Sequence, residues 1–141
     1  MKFNYLKLPR TQDSEFFGSS ILRPIIPIEI GYEGKPLRSL ALVDSGADFC
    51  IFDAELGEAL GIDVKSGQIE KFGGIQSADP GKAYIHSVVL TIGGWTYTTK
   101  VSFSYDIASH GCGILGQKGF FDIFKVKFDL PKEEIELVEF K

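Results

Sequence analysis

The stretch LVDSGA, residues 42–47, carries an apolar run directly into an acidic residue, a small hydroxyl residue and a glycine. The apolar residues before Asp44 predict a buried approach to its carboxylate. Ser45 can donate hydrogen bonds that hold the loop, and Gly46 allows another backbone to come close. These properties indicate a positioned carboxylate. They are also typical of a strand that ends in an Asx-turn, in which Asp44 only caps the backbone.

The residues before this stretch predict that Asp44 lies at the end of a β-strand. Residues 22–30 (LRPIIPIEI) and 35–43 (KPLRSLALV) are rich in apolar side chains, and they flank a turn at residues 31–34. Two such runs around a short glycine-containing turn are typical of a β-hairpin. We therefore expect a hairpin whose second strand delivers Asp44 to its end.

Two more strand pairs are expected further along the chain. Residues 83–92 and 95–105 flank a Gly-Gly turn, and the second run alternates clearly between apolar and polar positions. Residues 124–130 and 134–140 form another candidate pair, because the period-2 pattern of IELVEF predicts one buried and one exposed face. The short segments between frequent turns indicate an all-β fold.

Helical signals are few. Asp53 is a candidate N-cap, residues 54–60 (AELGEAL) supply the turns, and Gly61 can adopt the left-handed conformation that commonly ends a helix. A second short helix is expected at residues 117–123. Residues 9–20 contain the most loop-like sequence, so we expect a mobile loop there.

The composition is that of one folded domain. The chain has 141 residues, of which 44% are hydrophobic and 24% charged, values close to the globular average. We expect a single domain over residues 1–141, with residues 1–21 as a loosely packed N-terminal arm. The net charge of −4 argues against nucleic-acid binding, which needs clustered basic residues. No run approaches the ~20 apolar residues of a membrane helix, and no signal peptide is recognisable, so we expect a cytoplasmic protein without a membrane partner.

No metal or cofactor site is predicted. Cys50 and Cys112 lack the paired spacing of a zinc or redox site and are expected to be buried, reduced thiols. His86 falls in a predicted strand and His110 in a loop, and neither has the spacing of a metal ligand. The GxSxG motif of serine hydrolases is absent. The candidate chemistry therefore rests on Asp44.

Four segments together resemble the retropepsin-type, or retroviral-type, aspartic peptidases. Residues 41–48 (ALVDSGAD) resemble their catalytic loop, in which a hydrophobic strand enters Asp-Thr/Ser-Gly-Ala. Residues 72–75 (FGGI) resemble the glycine-rich flap, and residues 113–116 (GILG) resemble the second signature of the family, an apolar Ile-Leu-Gly segment. Residues 124–140 resemble the strand pair that closes cellular aspartic peptidase lobes. The resemblance spans residues 22–140, with the segments in the order and spacing of the family.

The resemblance implies a closed or partly open β-barrel with one or two short helices. It also implies roles for individual residues: Asp44 would be catalytic, and Asp48 would line the substrate groove. The loop around the catalytic residue would be shaped by Ser45, Gly46 and Ala47. The flap over the substrate would comprise Phe72, Gly73, Gly74, Ile75 and Gln76. The structural signature would comprise Ile114, Leu115 and Gly116.

In this family two aspartates share one proton, because like charges about 3 Å apart cannot both ionise. One carboxylate takes a proton from the attacking water, and its partner protonates the carbonyl oxygen of the substrate. The chain contains a single motif of this kind. The resemblance therefore implies an aspartic endopeptidase that acts as a homodimer on an extended polypeptide, with one Asp44 from each subunit.

Two features leave alternatives open. The flap candidate is followed by residues 76–81 (QSADPG), which are longer and more polar than a compact flap tip. The same fold could therefore act as a catalytically inactive peptide-binding or dimerisation module, or as a purely structural subunit. The strands at residues 124–140 could interleave between subunits, or they could serve the sheet of each monomer and leave a small dimer interface.

Overall fold

The computed structural model describes residues 1–73, 80–107 and 111–140, in which β-strands dominate. In chain order the strands are β1 (Lys2–Asn4), β2 (Leu6–Ser14), β3 (Gly18–Arg23), β4 (Ile25–Tyr32), β5 (Lys35–Val43), β6 (Ile51–Asp53), β7 (Gln68–Phe72), β8 (Gly81–Ile92), β9 (Trp95–Ser104), β10 (Gly113–Leu115), β11 (Phe124–Asp129) and β12 (Glu134–Glu139). Within these ranges one α-helix, α1 (Ala54–Ala59), and a 3₁₀ turn at Val64–Ser66 lie between β6 and β7. The all-β fold class is confirmed.

Six strands close into a barrel in the order β4, β5, β10, β6, β9, β8, and β8 pairs back onto β4. The long strand β8 makes this closure possible. One of its edges follows β9, while the other pairs first with β7 and then with β4. Alternate side chains along β4 and β8 point into the core, as the pleat of a strand requires. These buried residues are Ile26, Ile28, Ile30, Val88, Leu90 and Ile92.

The three predicted hairpins are confirmed. β4 pairs with β5, β8 with β9, and β11 with β12, all in antiparallel fashion. In the second hairpin Ile92 lies opposite Trp95, so Gly93 and Gly94 form a two-residue turn with φ values of 58° and 81°. Glycine adopts two successive left-handed conformations more readily than other residues. The Gly-Gly signal therefore fixed the register of this hairpin.

One of the two predicted helices is present. α1 begins after Asp53, whose carboxylate accepts the N–H of Glu55 at 2.9 Å. The helix predicted at residues 117–123 is wrong, because this segment is a series of non-helical turns. Gly119 has a φ of 102°, which a right-handed helix does not allow. Its N–H donates to the Asp122 carboxylate at 3.0 Å, so the turn is held locally.

The prediction of a mobile loop at residues 9–20 is also wrong. β2 and β3 form an antiparallel two-stranded ribbon through this region, with Leu8 opposite Ile21. The register shifts between Pro9 and Ser14, which marks a bulge. A proline and a run of polar residues obscured the strand pattern in the sequence. The N-terminal region is thus built from strands.

The two ends of the chain pair with each other. β1, β12 and β11 form a three-stranded sheet in that order. Met1 extends it through two backbone hydrogen bonds with Leu137, at 2.8 and 2.9 Å. The sheet packs on the barrel through Phe124, whose ring centroid lies 5.2 Å from that of Trp95 and 5.5 Å from that of Tyr97. This is the arrangement expected if the terminal strands serve the sheet of each monomer.

Candidate active site

Asp44 lies at the end of β5, where this strand is flanked by β4 and β10. Val43 donates its N–H to the Pro24 carbonyl at 2.8 Å, and Asp44 donates its N–H to the Leu115 carbonyl at 3.0 Å. Residues 113–115 pair in parallel with β5 up to Val43, so the ladder continues into Asp44. Val43 is buried and Asp44 is half-buried. The apolar approach to the carboxylate is therefore present as predicted.

The carboxylate of Asp44 is held by its own loop. Gly46 donates its N–H to Oδ1 at 2.9 Å, and Ala47 donates its N–H to the Asp44 carbonyl at 3.2 Å. A Cβ on residue 46 would lie 3.2 Å from Oδ1, so glycine lets the carboxylate stay close to the backbone. This is the geometry of an Asx-turn. From the described residues, Oδ2 accepts no hydrogen bond.

A second segment, residues 115–118, runs beside the loop and fixes its backbone. Gln117 donates its N–H to the Ala47 carbonyl at 2.8 Å, and the next residue donates its N–H to the Asp48 carbonyl at 2.9 Å. The side-chain amide of Gln117 also donates to the Ser45 carbonyl at 3.0 Å. The loop is therefore bonded along its length to a neighbouring segment rather than only to itself.

Gly116 allows these two segments to approach each other. A Cβ at this position would lie 2.4 Å from the Phe49 carbonyl oxygen and 2.8 Å from the Ala47 carbonyl oxygen. The N–H of Gly116 donates to the buried sulfur of Cys50 at 3.4 Å. Burial raises the pKa of Cys50 to about 12, so this group remains a neutral thiol behind the loop. The close contact with the loop therefore explains why the Ile-Leu-Gly segment has a glycine at residue 116.

A cavity of about 350 Å³ lies between the loop and the β7–β8 hairpin. On the loop side it is lined by Asp48, which is exposed, and by Phe49. The other lining residues are Gln68, Glu70, Ile85, Lys100, Val101 and Lys118. Its walls are therefore partly apolar and partly charged. Asp48 is placed where a molecule bound beside the Asp44 loop would meet it.

The flap candidate lies at the far end of the β7–β8 hairpin. Phe72 ends β7 opposite Gly81, and a Cβ on residue 81 would lie 2.6 Å from the Phe72 ring. The described part continues only to Gly73. Three flap candidates lie outside the described residues: Gly74, Ile75 and Gln76. The hairpin is anchored near this end, because Lys82 donates its N–H to the Asp106 carboxylate at 2.9 Å.

Some of the residues that hold the Asp44 loop were not identified from the sequence, although Leu115 and Gly116 were. Gln117 belongs to the segment expected to be helical, yet it binds the loop through its main chain and its side chain. Cys50 is buried as expected, but its contact with Gly116 was not predicted, and Cys112 is only half-buried. The contact between Gln117 and Ser45 spans 72 positions of the sequence, and the contact between Gly116 and Cys50 spans 66. No local sequence pattern reports contacts over such separations.

Other polar residues are spread over the structure. In the described ranges, no group of three or more His, Cys, Asp or Glu side chains is placed to hold a metal ion. His86 has a packing role, since its Nε2 is hydrogen-bonded to the Val64 carbonyl at 2.8 Å, and His110 lies outside the described residues. Among the helices that the structure describes, none is both long and apolar enough to cross a membrane.

Comparison with solved structures identifies the fold. The retroviral protease-like domain of Ddi1 from Leishmania major is 17% identical, with a TM-score of 0.59 over 82% of this chain and 87% of that one. A retropepsin-like aspartic protease from Rickettsia conorii is 16% identical, with a TM-score of 0.57 over 96% of this chain and 99% of that one. The chain has a retropepsin-like fold. No protein-family description and no curated protein sequence matches it.

In this retropepsin-like fold, two of the four segments that carried the resemblance lie side by side. Residues 41–48 comprise the end of β5 and the Asp44 loop, and residues 113–116 comprise β10 and Gly116 beside them. Residues 72 and 73 lie at the far end of the β7–β8 hairpin, which lines the cavity beside Asp48 through Gln68, Glu70 and Ile85. At identities this low, similarity establishes the fold alone.

Proposed function

We propose that this protein is an aspartic endopeptidase that acts as a homodimer, with Asp44 of each subunit as the catalytic residue. The observation that carries the proposal is the way Asp44 is held. Asp44 is half-buried and directly follows the buried Val43, and its loop is bonded by a second segment at Leu115 and Gln117. A retropepsin-like fold around such a carboxylate supports peptide hydrolysis.

The proposed reaction requires a second copy of the chain. Two carboxylates about 3 Å apart share one proton, so one acts as a base toward water while the other donates a proton to the substrate carbonyl oxygen. Each chain supplies one Asp44 in an Asp-Ser-Gly motif. A two-fold symmetric dimer would bring the two loops together, with Ser45, Gly46 and Ala47 bracing them at the axis.

The proposed substrate is an extended polypeptide. It would lie between the Asp44 loop and the β7–β8 hairpin and bind through backbone hydrogen bonds, with alternate side chains in pockets. The cavity of about 350 Å³ beside Asp48 is one candidate pocket, and it falls at the lower end of the usual range for ligand sites. Phe72 to Gln76 would cover the substrate from the other side.

The experiment that tests the proposal compares the wild type with Asp44→Asn and with a matched control, Asp63→Asn. Asp63 is exposed, and its side chain makes no capping hydrogen bond, so the control changes the same chemical group away from the loop. A diverse peptide library is incubated with each at about pH 4 to 7, where a coupled carboxyl pair is active. We expect cuts from the wild type and from Asp63→Asn, and a rate lower by at least about 10²–10⁴-fold for Asp44→Asn.

The pH profile and the concentration dependence of the same assay distinguish a dimeric peptidase from a peptide-binding module. A shared proton predicts a bell-shaped rate profile on the acidic side of neutrality, and a flat rate from about pH 4 to 8 with Asp44 still required would contradict it. Specific activity should rise with protein concentration as the dimer forms. If the wild type binds peptides as a folded dimer but cuts none, the fold serves as a binding module instead.

A further inference from the structure

The β2–β3 ribbon carries an exposed aromatic tip. Within the described residues, its two strands pair with each other and with no other strand. At the tip Phe16 is 87% exposed and Phe17 is 50% exposed, and their rings meet edge to face with centroids 4.8 Å apart. The guanidinium of Arg10 lies 4.8 Å from the centre of the Phe17 ring. Adjoining exposed apolar side chains of this kind form a candidate contact surface.

The base of this ribbon lies beside the Asp44 loop. β3 ends at Arg23, and the next residue, Pro24, accepts the N–H of Val43 at 2.8 Å. Val43 is the residue that precedes Asp44. The ribbon therefore leaves the barrel at the end where two copies of the chain must meet if their Asp44 carboxylates share one site.

The ribbon is long enough to reach well onto a second molecule. From Leu6 to Ser14 the strand makes eight steps, and at about 3.3 Å each this is at most about 26 Å. A domain of this length has a radius of gyration of about 14 Å. An element rooted beside the two-fold axis could thus extend past the middle of the partner and place its aromatic tip there.

The proposed dimer needs such an additional surface. A stable interface buries roughly 800 Å² on each partner, contributed by about 20–30 residues. The loop tips at residues 45–47 are too small to supply this area. The terminal strands β1, β11 and β12 are already paired with one another inside one chain. In the described residues the strands β11 and β12 and their ends also expose large apolar side chains, namely Phe128, Leu130, Val138 and Phe140. The ribbon differs from them because the residue that follows it, Pro24, is bonded directly to the residue before Asp44.

We infer that the β2–β3 ribbon is a dimerisation arm that lies across a second copy of this chain and buries Phe16 and Phe17 against it. This inference rests on the proposed shared site, because that site determines where the two-fold axis passes. Aromatic residues that become fully buried at an interface commonly contribute most of its binding energy. The arm would therefore control how much of the protein is in the form that contains two Asp44 residues.

Two variants test the arm. The first is the double substitution Phe16→Ser with Phe17→Ser, which changes only exposed side chains. The second replaces residues 9–20 by Asn-Gly, because Leu8 lies opposite Ile21 and a two-residue turn of this sequence closes such a pair. The matched control is Leu40→Ser with Val89→Ser, two apolar residues that are 45% and 39% exposed on the barrel wall. All are made in an Asp44→Asn background, so self-cleavage cannot affect the measurement.

The dimer dissociation constant is measured by sedimentation equilibrium, with circular dichroism to confirm folding. We expect it to rise at least about tenfold in the double phenylalanine variant and further in the shortened ribbon, and to stay within about twofold in the control. An unchanged constant in both ribbon variants would overturn the inference, even if peptide binding weakened, since the ribbon would then contact substrate instead. A wild type that stays monomeric at all concentrations would overturn both the arm and the shared site. A dimer weakened by the ribbon variants, in a protein that cuts no peptide, would uphold the arm and remove only the peptidase proposal.

Discussion

The substitution Gly116→Ala tests whether the segment beside the Asp44 loop determines the position of the loop. Residue 116 lies between Leu115, whose carbonyl accepts the Asp44 N–H, and Gln117, whose N–H donates to the Ala47 carbonyl. A Cβ there would meet the Phe49 carbonyl oxygen at 2.4 Å. That atom belongs to the main chain, so no side chain can rotate away to make room.

The magnitude follows from this distance. Ordinary contacts of a Cβ begin near 3.4 Å, so the two segments would have to separate by about 1 Å. Inserting a methyl group into a fully packed site typically costs about 1–3 kcal/mol. A displacement of about 1 Å at a reacting group can lower a rate about 10²-fold. We therefore expect Gly116→Ala to lose about 1–3 kcal/mol of unfolding free energy and most of the proposed activity.

The control for this prediction is Gly31→Ala. The nearest atom to a Cβ at residue 31 is the Lys35 carbonyl oxygen at 3.7 Å, which is an ordinary contact. Its φ is not positive, so alanine should fit and should stabilise the protein by about 0.4–1 kcal/mol by restricting the unfolded chain. Urea unfolding measures both variants, and amide hydrogen exchange reads Asp44 and Gln117 directly. Equal stability of the two variants, with unchanged exchange at Asp44, would refute the reasoning.

Two other predictions concern the core. Phe124→Ala should lower the free energy of unfolding by about 3–5 kcal/mol, because Phe124 is 2% exposed and its ring meets three other aromatic rings. The centroid distances to Trp95, Tyr97 and Phe120 are 5.2 to 5.5 Å. Unfolding followed by Trp95 fluorescence measures this loss, and a value below about 1 kcal/mol would contradict the packing. Burial raises the pKa of the Cys50 thiol from 9.0 to about 12, so the unfolded chain loses this proton first as the pH rises. Stability should therefore fall between these values by up to about 1.4 kcal/mol per pH unit for this group, and Cys50→Ala should show a shallower decline than the wild type.

The barrel hairpins could be predicted because their signals are local. Gly93 and Gly94 fix a two-residue turn, and the alternation on either side fixes which face is buried. The helix α1 was likewise predictable from the Asp53 cap. The position of Asp44 at the end of a strand whose last residues are buried followed from the apolar residues before it. Each of these features depends on residues within a few positions of one another.

The parts that were missed depend on contacts that are distant in sequence or on backbone conformation. The segment at residues 117–123 has helix-compatible composition, but Gly119 adopts a φ of 102°. The two residues before it bind the Asp44 loop, and its own N–H donates to the Asp122 carboxylate. The ribbon at residues 9–20 carries mostly polar residues, so its strand character comes from cross-strand pairing rather than from a hydrophobic pattern. Tertiary contacts therefore determine the conformation of the first segment, and cross-strand pairing determines that of the second.

The Asx-turn and the catalytic interpretation of Asp44 share the same local geometry, and they differ in what holds the loop. A capping aspartate needs only the hydrogen bond from Gly46 to Oδ1, which is worth about 0.5–1.5 kcal/mol. Here the loop is also bonded at Asp44, Ser45, Ala47 and Asp48 by residues 115–118. Fixing the backbone of one residue costs about 1–2 kcal/mol of conformational entropy. An aspartate that only caps the backbone does not require every residue of its loop to be fixed. A carboxylate that must meet its symmetry mate and a water molecule needs this preorganisation. The hydrogen bonds around the loop therefore favour the catalytic interpretation.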